Sequence, residues 1–95
     1  MSMKEDYEKK LQAQLDECNA DMIKLKAKAD KAEADAQIEY YKEIEELKSK
    51  KASVDEKLSE VKEASEDAWE DIKAGADKAW DSLSDAVKSA ASRFK

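Results

Sequence analysis

Several residue types on which enzymes depend are scarce or missing in this chain of 95 residues. There is no His and no Pro, and there are only one Gly and one Cys. His is the commonest general base and metal ligand, so the usual acid–base and metal chemistry lacks its main residue. The sequence also has no Gly-rich phosphate loop, no nucleophile elbow and no CxxC pair. We therefore expect a protein that is not an enzyme, with no cofactor, no metal ion and no small-molecule substrate.

Long apolar runs and an excess of positive charge are missing too. Because no run of about 18 apolar residues occurs, we expect no membrane span, and because no apolar segment follows residues 1–6, we expect no signal peptide. A single Cys excludes an internal disulfide framework and fits a reducing cytoplasm, where we expect the protein to be located. The net charge of −6 argues against DNA or RNA as a partner.

What the chain does contain is one apolar stripe that runs along almost its whole length. Its positions advance by about 3.6 residues per step, which is the period of a nearly straight α-helix, whereas strands alternate with a period of two. One core candidate per turn gives Leu11, Leu15, Cys18, Met22, Leu25, Ala29, Ala32, Ala36, Tyr40, Ile44, Leu47, Lys51, Val54, Leu58, Val61, Ser65, Ala68, Ile72, Ala76, Trp80, Leu83, Val87, Ala90 and Phe94. The stripe predicts an all-α fold.

The stripe is narrow, and one isolated helix would bury too little apolar area to offset the entropy of ordering the chain. We therefore expect a coiled-coil or helical-bundle homo-oligomer, with the chain itself as its partner. A dimer is the default and a trimer the next choice, because the mixed seam of Leu, Met, Ala, Val and Ile gives no clear rule for the oligomeric state.

Two architectures fit this stripe: one long amphipathic helix, or a two-helix hairpin bending near residues 49–53. Ser2 with Glu5 predicts a helix start at the N-terminus, and Ser53 with Glu56 is a second capping-box candidate. Lys51 interrupts the apolar character of the stripe at this point. Against a bend, neither Gly nor Pro is nearby and the stripe keeps its phase. A continuous helix would be about 140 Å long and a hairpin about 70 Å long.

The chain is predicted to be one unit, residues 1–95, with two unlike parts. Residues 11–66 carry a heptad seam that narrows to alanine, and the Ala-rich segment 27–36 is expected to stay helical because alanine has the best helix propensity. Residues 67–95 carry an eleven-residue repeat, whose period of three helical turns keeps each column on one face.

The repeat places large apolar side chains on one face of segment 68–95. Two interpretations are open: a packed seam or oligomer core, or a face that binds reversibly to a membrane lipid surface, where Trp is favoured. The basic chain end supports lipid binding modestly, and the acid-rich stretch 66–85 opposes it. The residues of this face are Trp69, Ile72, Trp80, Leu83, Val87 and Phe94.

Cys18 lies on the seam between Leu15 and Met22. It is interpreted as a small core residue. The alternative is an interchain contact, because in a parallel, in-register dimer the thiol would face its symmetry mate.

Two segments carry a resemblance to known proteins: KLKAKADKAEADAQIEYYKEIEELKSK (24–50) and AWEDIKAGADKAWDSLSDAVKSAASRFK (68–95). Together they resemble a family of small bacterial coiled-coil domain-containing proteins, some of whose cyanobacterial members are regarded as stress-responsive. The resemblance implies a stress-associated, non-enzymatic role and defines no site residues. The eleven-residue pattern is also similar to that of exchangeable apolipoproteins and late-embryogenesis-abundant proteins.

Overall fold

The computed structural model describes residues 2–94, and these form three α-helices. The helices are α1 (Met3–Lys31), α2 (Ala34–Glu63) and α3 (Trp69–Arg93), and they pack side by side into a bundle of 51 × 19 × 18 Å. The prediction of an all-α helical fold is confirmed. The predicted helix start is also found, since Ser2 caps α1 by accepting a hydrogen bond from the backbone N–H of Glu5 at 3.1 Å.

The helices alternate in direction along the chain. The hydroxyl of Tyr40, near the start of α2, donates to the carbonyl of Phe94 at the end of α3 at 3.2 Å, and Lys4 Nζ, at the start of α1, donates to the carbonyl of Lys62 at the end of α2 at 3.0 Å. Consequently α2 runs antiparallel to both of its neighbours, and α1 and α3 run parallel to each other.

The expected rod is wrong because the chain reverses twice, after α1 and after α2. The expected hairpin bend at residues 49–53 is also wrong, because this segment lies inside α2. Leu47 and Val54 on either side of it are buried, so the stripe packs across the site without interruption. Lys51 is tolerated because it is only half-buried and its ammonium group reaches Asp55 at 3.0 Å. Ser53 begins no helix here, and its hydroxyl donates instead to the carbonyl of Ser49 at 3.4 Å.

The first chain reversal occurs at Ala32 and Glu33, within the segment that was expected to stay helical. Both residues are extended, with φ/ψ of −77/159° and −66/157°. Few apolar contacts are lost here because the stripe consists only of alanine, which buries little area. The carbonyl of Ala29 accepts hydrogen bonds from the N–H of Ala32 and from Gln37 Nε2, both at 3.1 Å, which replaces bonding lost at the helix end.

The second reversal covers residues 64–68, where the stripe positions Ser65 and Ala68 are exposed. Ser65 organises the turn, because its hydroxyl accepts from the N–H of Ala68 at 3.2 Å and its carbonyl accepts from the N–H groups of Ala68 and Trp69 at 3.1 Å. Ser followed by two acidic residues is a helix-start signal that the unbroken stripe masks. The predicted boundary between segments 11–66 and 67–95 falls in this turn.

The core is a single column of apolar side chains along the bundle axis. All the core residues except Trp69 are positions of the predicted stripe, so each helix presents its own part of the stripe inward. The stripe is therefore covered within one chain and needs no sister chain for its burial. The core residues are Leu11, Leu15, Cys18, Met22, Leu25, Ala29, Ile44, Leu47, Val54, Leu58, Val61, Trp69, Ala76, Leu83 and Ala90.

Two isoleucines of α2 test this core. Ile44 is 4% exposed and Ile38 is 56% exposed. We expect Ile44→Ala to lower the free energy of unfolding by about 2–5 kcal/mol, because it removes buried contacts and leaves a cavity. The matched control Ile38→Ala should change it by less than about 0.5 kcal/mol at a chain concentration too low for copies to associate. Urea denaturation followed by circular dichroism measures both variants, and equal losses would contradict the placement of Ile44 in the core.

Gly75 lies in the interior of α3, where a Cβ would sit 3.7 Å from Cε of Lys57, an ordinary van der Waals distance. We expect Gly75→Ala to raise the free energy of unfolding by about 0.5–1 kcal/mol, since glycine is a poor helix residue and the added methyl group clashes with no neighbour. The neighbouring, exposed Ala74→Gly should lower it by a similar amount. Thermal unfolding of the two variants checks this, and a loss of stability in Gly75→Ala would mean that α2 and α3 approach more closely than the structure shows.

Candidate functional site: the groove between α1 and α3

An open groove separates the parallel helices α1 and α3, which touch each other much less than either touches α2. Three adjoining cavities make up this groove. Gln14 and Trp80 line both the first and the second cavity, and Asp21, Val87 and Lys88 line both the second and the third. The groove therefore follows most of the length of the bundle.

Polar and aromatic contacts close the floor of the first section, near the start of α1 and α3. The hydroxyl of Tyr7 donates to Asp77 Oδ1 at 2.7 Å, and the Tyr7 ring lies 5.7 Å from the ring of the buried Trp69. Lys73 Nζ sits 3.1 Å from Asp77 Oδ2 and 5.3 Å from the centre of the Tyr7 ring. Burial, followed by the hydrogen bond to Asp77, raises the pKa of Tyr7. These contacts tie α1 to α3.

The stripe contained a signal for this cluster. Tyr7 lies four residues before Leu11 and extends the apolar stripe of α1 by one turn, and this position makes it half-buried. Trp69 was assigned to the Trp-bearing face, but its partner on a different helix could not be read from periodicity within α3.

Cys18 lies beside the second section of the groove. Its side chain is 3% exposed, and its thiol is 4.0 Å from the sulfur of Met22. Burial and, second, the nearby carboxylate of Asp21 raise the pKa of Cys18, which favours the protonated thiol. A contact with the thiol of a sister chain would require α1 to move away from its neighbours, so the small-core-residue interpretation fits this position.

The third section combines an apolar floor with charged edges in a cavity of about 230 Å³. Its apolar lining consists of Met22, Leu25, Leu47, Val87 and Ala91. Its charged lining consists of Lys24, Lys28, Lys88 and Asp21. The lysines were not predicted as site residues, since Lys24 and Lys28 share one face of α1 but only the fold brings Lys88 beside them.

Beyond the groove, the end of α3 is attached to the start of α2. The rings of Tyr40 and Phe94 stack with centroids 4.1 Å apart, and the Tyr40 hydroxyl donates to the carbonyl of Phe94 at 3.2 Å. Arg93 forms ion pairs with Glu39 at 3.3 Å and Glu43 at 3.7 Å. Phe94 therefore packs against α2 of its own chain and is half-buried.

The predicted Trp-bearing face is divided by the fold. Trp69 and Leu83 are buried, while Ile72, Trp80 and Val87 are half-buried. Of these, Trp80 and Val87 line the groove. Contact of the whole face with lipid would require α3 to turn its buried side outward.

Comparison with known proteins gives no match: no family model, curated protein or solved structure matches this chain.

Residues 2–94 contain neither a cluster of metal ligands nor a membrane-spanning helix. Within this range, no group of three or more Cys, Asp or Glu side chains is placed to hold a metal ion. None of the helices formed by these residues has the length and apolar character needed to cross a bilayer. The groove provides a binding surface that consists of apolar side chains with lysines beside them.

The Tyr7–Asp77 contact predicts a loss of stability at alkaline pH. Tyrosine ionises near pH 10 in an unfolded chain. Because the folded state raises the pKa of Tyr7, the unfolded state releases its proton first, and the free energy of unfolding falls as the pH rises above about 10. In Tyr7→Phe this contribution is absent, while every other ionisable group is common to both proteins.

We therefore expect urea denaturation at a series of pH values from about 9 to about 11 to give a steeper loss of stability for the unmodified chain than for Tyr7→Phe. Parallel curves would show that Tyr7 and Asp77 are not coupled in solution.

Proposed function

We propose that this chain is a non-enzymatic helical protein that acts as a small scaffold or protective oligomer with a stress-associated role. The distribution of its side chains supports this proposal. Every core side chain is apolar, and the charged side chains outside form local pairs such as Lys26–Asp30 and Lys51–Asp55. The stress-associated part rests on the resemblance carried by segments 24–50 and 68–95.

The observation that carries the proposal is a set of exposed apolar side chains on the α1–α2 side of the bundle. Ile38 and Tyr41 of α2 are 56% and 39% exposed, and Ile23 of α1 is 62% exposed. The hydroxyl of Tyr41 donates to Asp30 Oδ1 at 2.6 Å, which holds the ring toward α1. Ile23 lies two turns before Asp30 and hence on the same side of α1. We call these three side chains the α1–α2 patch.

A second copy of the chain is the partner that suits this patch. Lys42, Glu45 and Glu46 surround Ile38 and Tyr41 with charges of both signs. Under two-fold symmetry such a surface is self-complementary, because the lysine of one copy can face a glutamate of the other. A dimer is accordingly the proposed form and a trimer the next choice.

The oligomer is tested by light scattering coupled to size-exclusion chromatography at micromolar concentration. We expect the mass of a dimer or trimer for the unmodified chain. Ile38→Lys should shift the mass toward that of one chain, because it places an ammonium group in the apolar contact. Lys88→Glu, in the groove between α1 and α3, is the control and should leave the mass unchanged. A single-chain mass for the unmodified protein would overturn the homo-oligomer.

The protective role is tested by the heat-induced aggregation of an unrelated client enzyme, followed by turbidity. We expect an equimolar amount of the chain to delay aggregation, with a smaller delay for Ile38→Lys if the oligomer is the active form. A client that aggregates at the same rate with and without the chain would contradict protection.

Binding to a membrane surface through segment 68–95 is the second candidate. It is favoured by the position of Trp80 and Val87, which line an open groove and remain half-buried instead of lying in the core. It is opposed by the burial of Trp69 and Leu83. Flotation with anionic vesicles separates the candidates: a membrane-binding chain floats and loses this property in Trp80→Glu, whereas a scaffold stays in the buffer fraction.

A further inference from the structure

The third section of the groove is a basic opening in an acidic protein. The chain has a net charge of −6, yet three lysines and one aspartate line this cavity: Lys24, Lys28, Lys88 and Asp21. An anion is therefore favoured locally at a place where the protein as a whole repels it.

The floor beneath these lysines is apolar. Met22 and Leu25, each only 7% exposed, lie at the bottom of the cavity, and Val87 and Ala91 also line it. Val87 and Lys88 line both this cavity and the next one toward Trp80, which adds about 180 Å³. Along α3, Lys88 and Trp80 are separated by about 12 Å. These dimensions suit one extended hydrocarbon chain.

We propose that the groove binds a single-chain anionic amphiphile, a fatty acid, while the bundle stays closed. The carboxylate lies among the ammonium groups of Lys24, Lys28 and Lys88. The hydrocarbon chain follows Met22 and Val87 toward Trp80, where it replaces water on apolar surface. This site is on a different side of the bundle from the α1–α2 patch, and it does not depend on the scaffold function.

The two tryptophans allow a direct test with dodecanoate below its micelle concentration. Trp69→Phe leaves Trp80 as the fluorophore, and Trp80→Phe leaves Trp69. We expect dodecanoate to change the emission of Trp80 and to leave that of Trp69 unchanged, because Trp69 packs against Tyr7 at the other end of the groove. Calorimetry on each variant confirms occupancy with one ligand per chain. A joint change of both tryptophans would show that the bundle opens, as membrane-type binding requires, and would overturn the closed site.

A matched pair of charge reversals on α3 tests the lysines. Lys88 lines the groove, whereas Lys78 is exposed on the outer side of the same helix. We expect Lys88→Glu to weaken dodecanoate binding by about tenfold and Lys78→Glu by less than about twofold. Equal effects would mean that only the overall charge matters, which overturns the site.

A ligand of opposite charge completes the test. Dodecyltrimethylammonium has the same hydrocarbon chain with a cationic head, and an acidic protein attracts it non-specifically. We expect dodecanoate to bind the unmodified chain at least about tenfold more tightly than this cation. Equal or tighter binding of the cation, or no binding of dodecanoate, would overturn the proposal.

Discussion

Each helix of this bundle can bury only one narrow line of apolar side chains, about one per turn, and the whole structure depends on covering these lines with one another. A single line leaves too little burial to order a helix in water. The chain meets this constraint by reversing its direction twice, so that α1, α2 and α3 pack their apolar side chains against one another in one shared core. The same constraint explains why both reversals fall where the stripe is poorest, at Ala32 and around Ser65.

Side-chain size differs between the two sides of α3. Gly75 lies beside Lys57 of α2, so little side-chain volume separates the two helices at this point. On the side facing α1, α3 carries larger side chains such as Trp80 and Val87, which line the groove. The groove therefore lies on the side of α3 that bears the larger residues.

The period of the stripe identified nearly all of the core from the sequence, because burial in a helical bundle is decided by position on the helix face. Periodicity could not locate the reversals, since a stripe that keeps its phase is compatible with a bent or an unbroken chain. Lys51 was the expected weak point of the stripe. Its long aliphatic stem nevertheless allows it to lie at the edge of the core while Asp55 binds its ammonium group. Alanine at positions 29 and 32 favours a continuous helix by its intrinsic propensity. Because alanine buries little apolar area, however, a helix can end there with the loss of few apolar contacts, and the chain reverses at this point.

The candidate site was predictable only in part. Trp80 and Val87 belonged to the predicted Trp-bearing face, because that face follows from spacing within one segment. The placement of Lys88 beside Lys24, and of Tyr7 beside Trp69, depends on the register between α1 and α3, and the residues of each pair lie more than sixty positions apart in the chain. Lastly, neither reversal uses a backbone conformation reserved for glycine, as no positive φ occurs in residues 2–94. No glycine-specific turn holds either reversal in place, so two copies could exchange a helix through an opened turn while keeping every core contact.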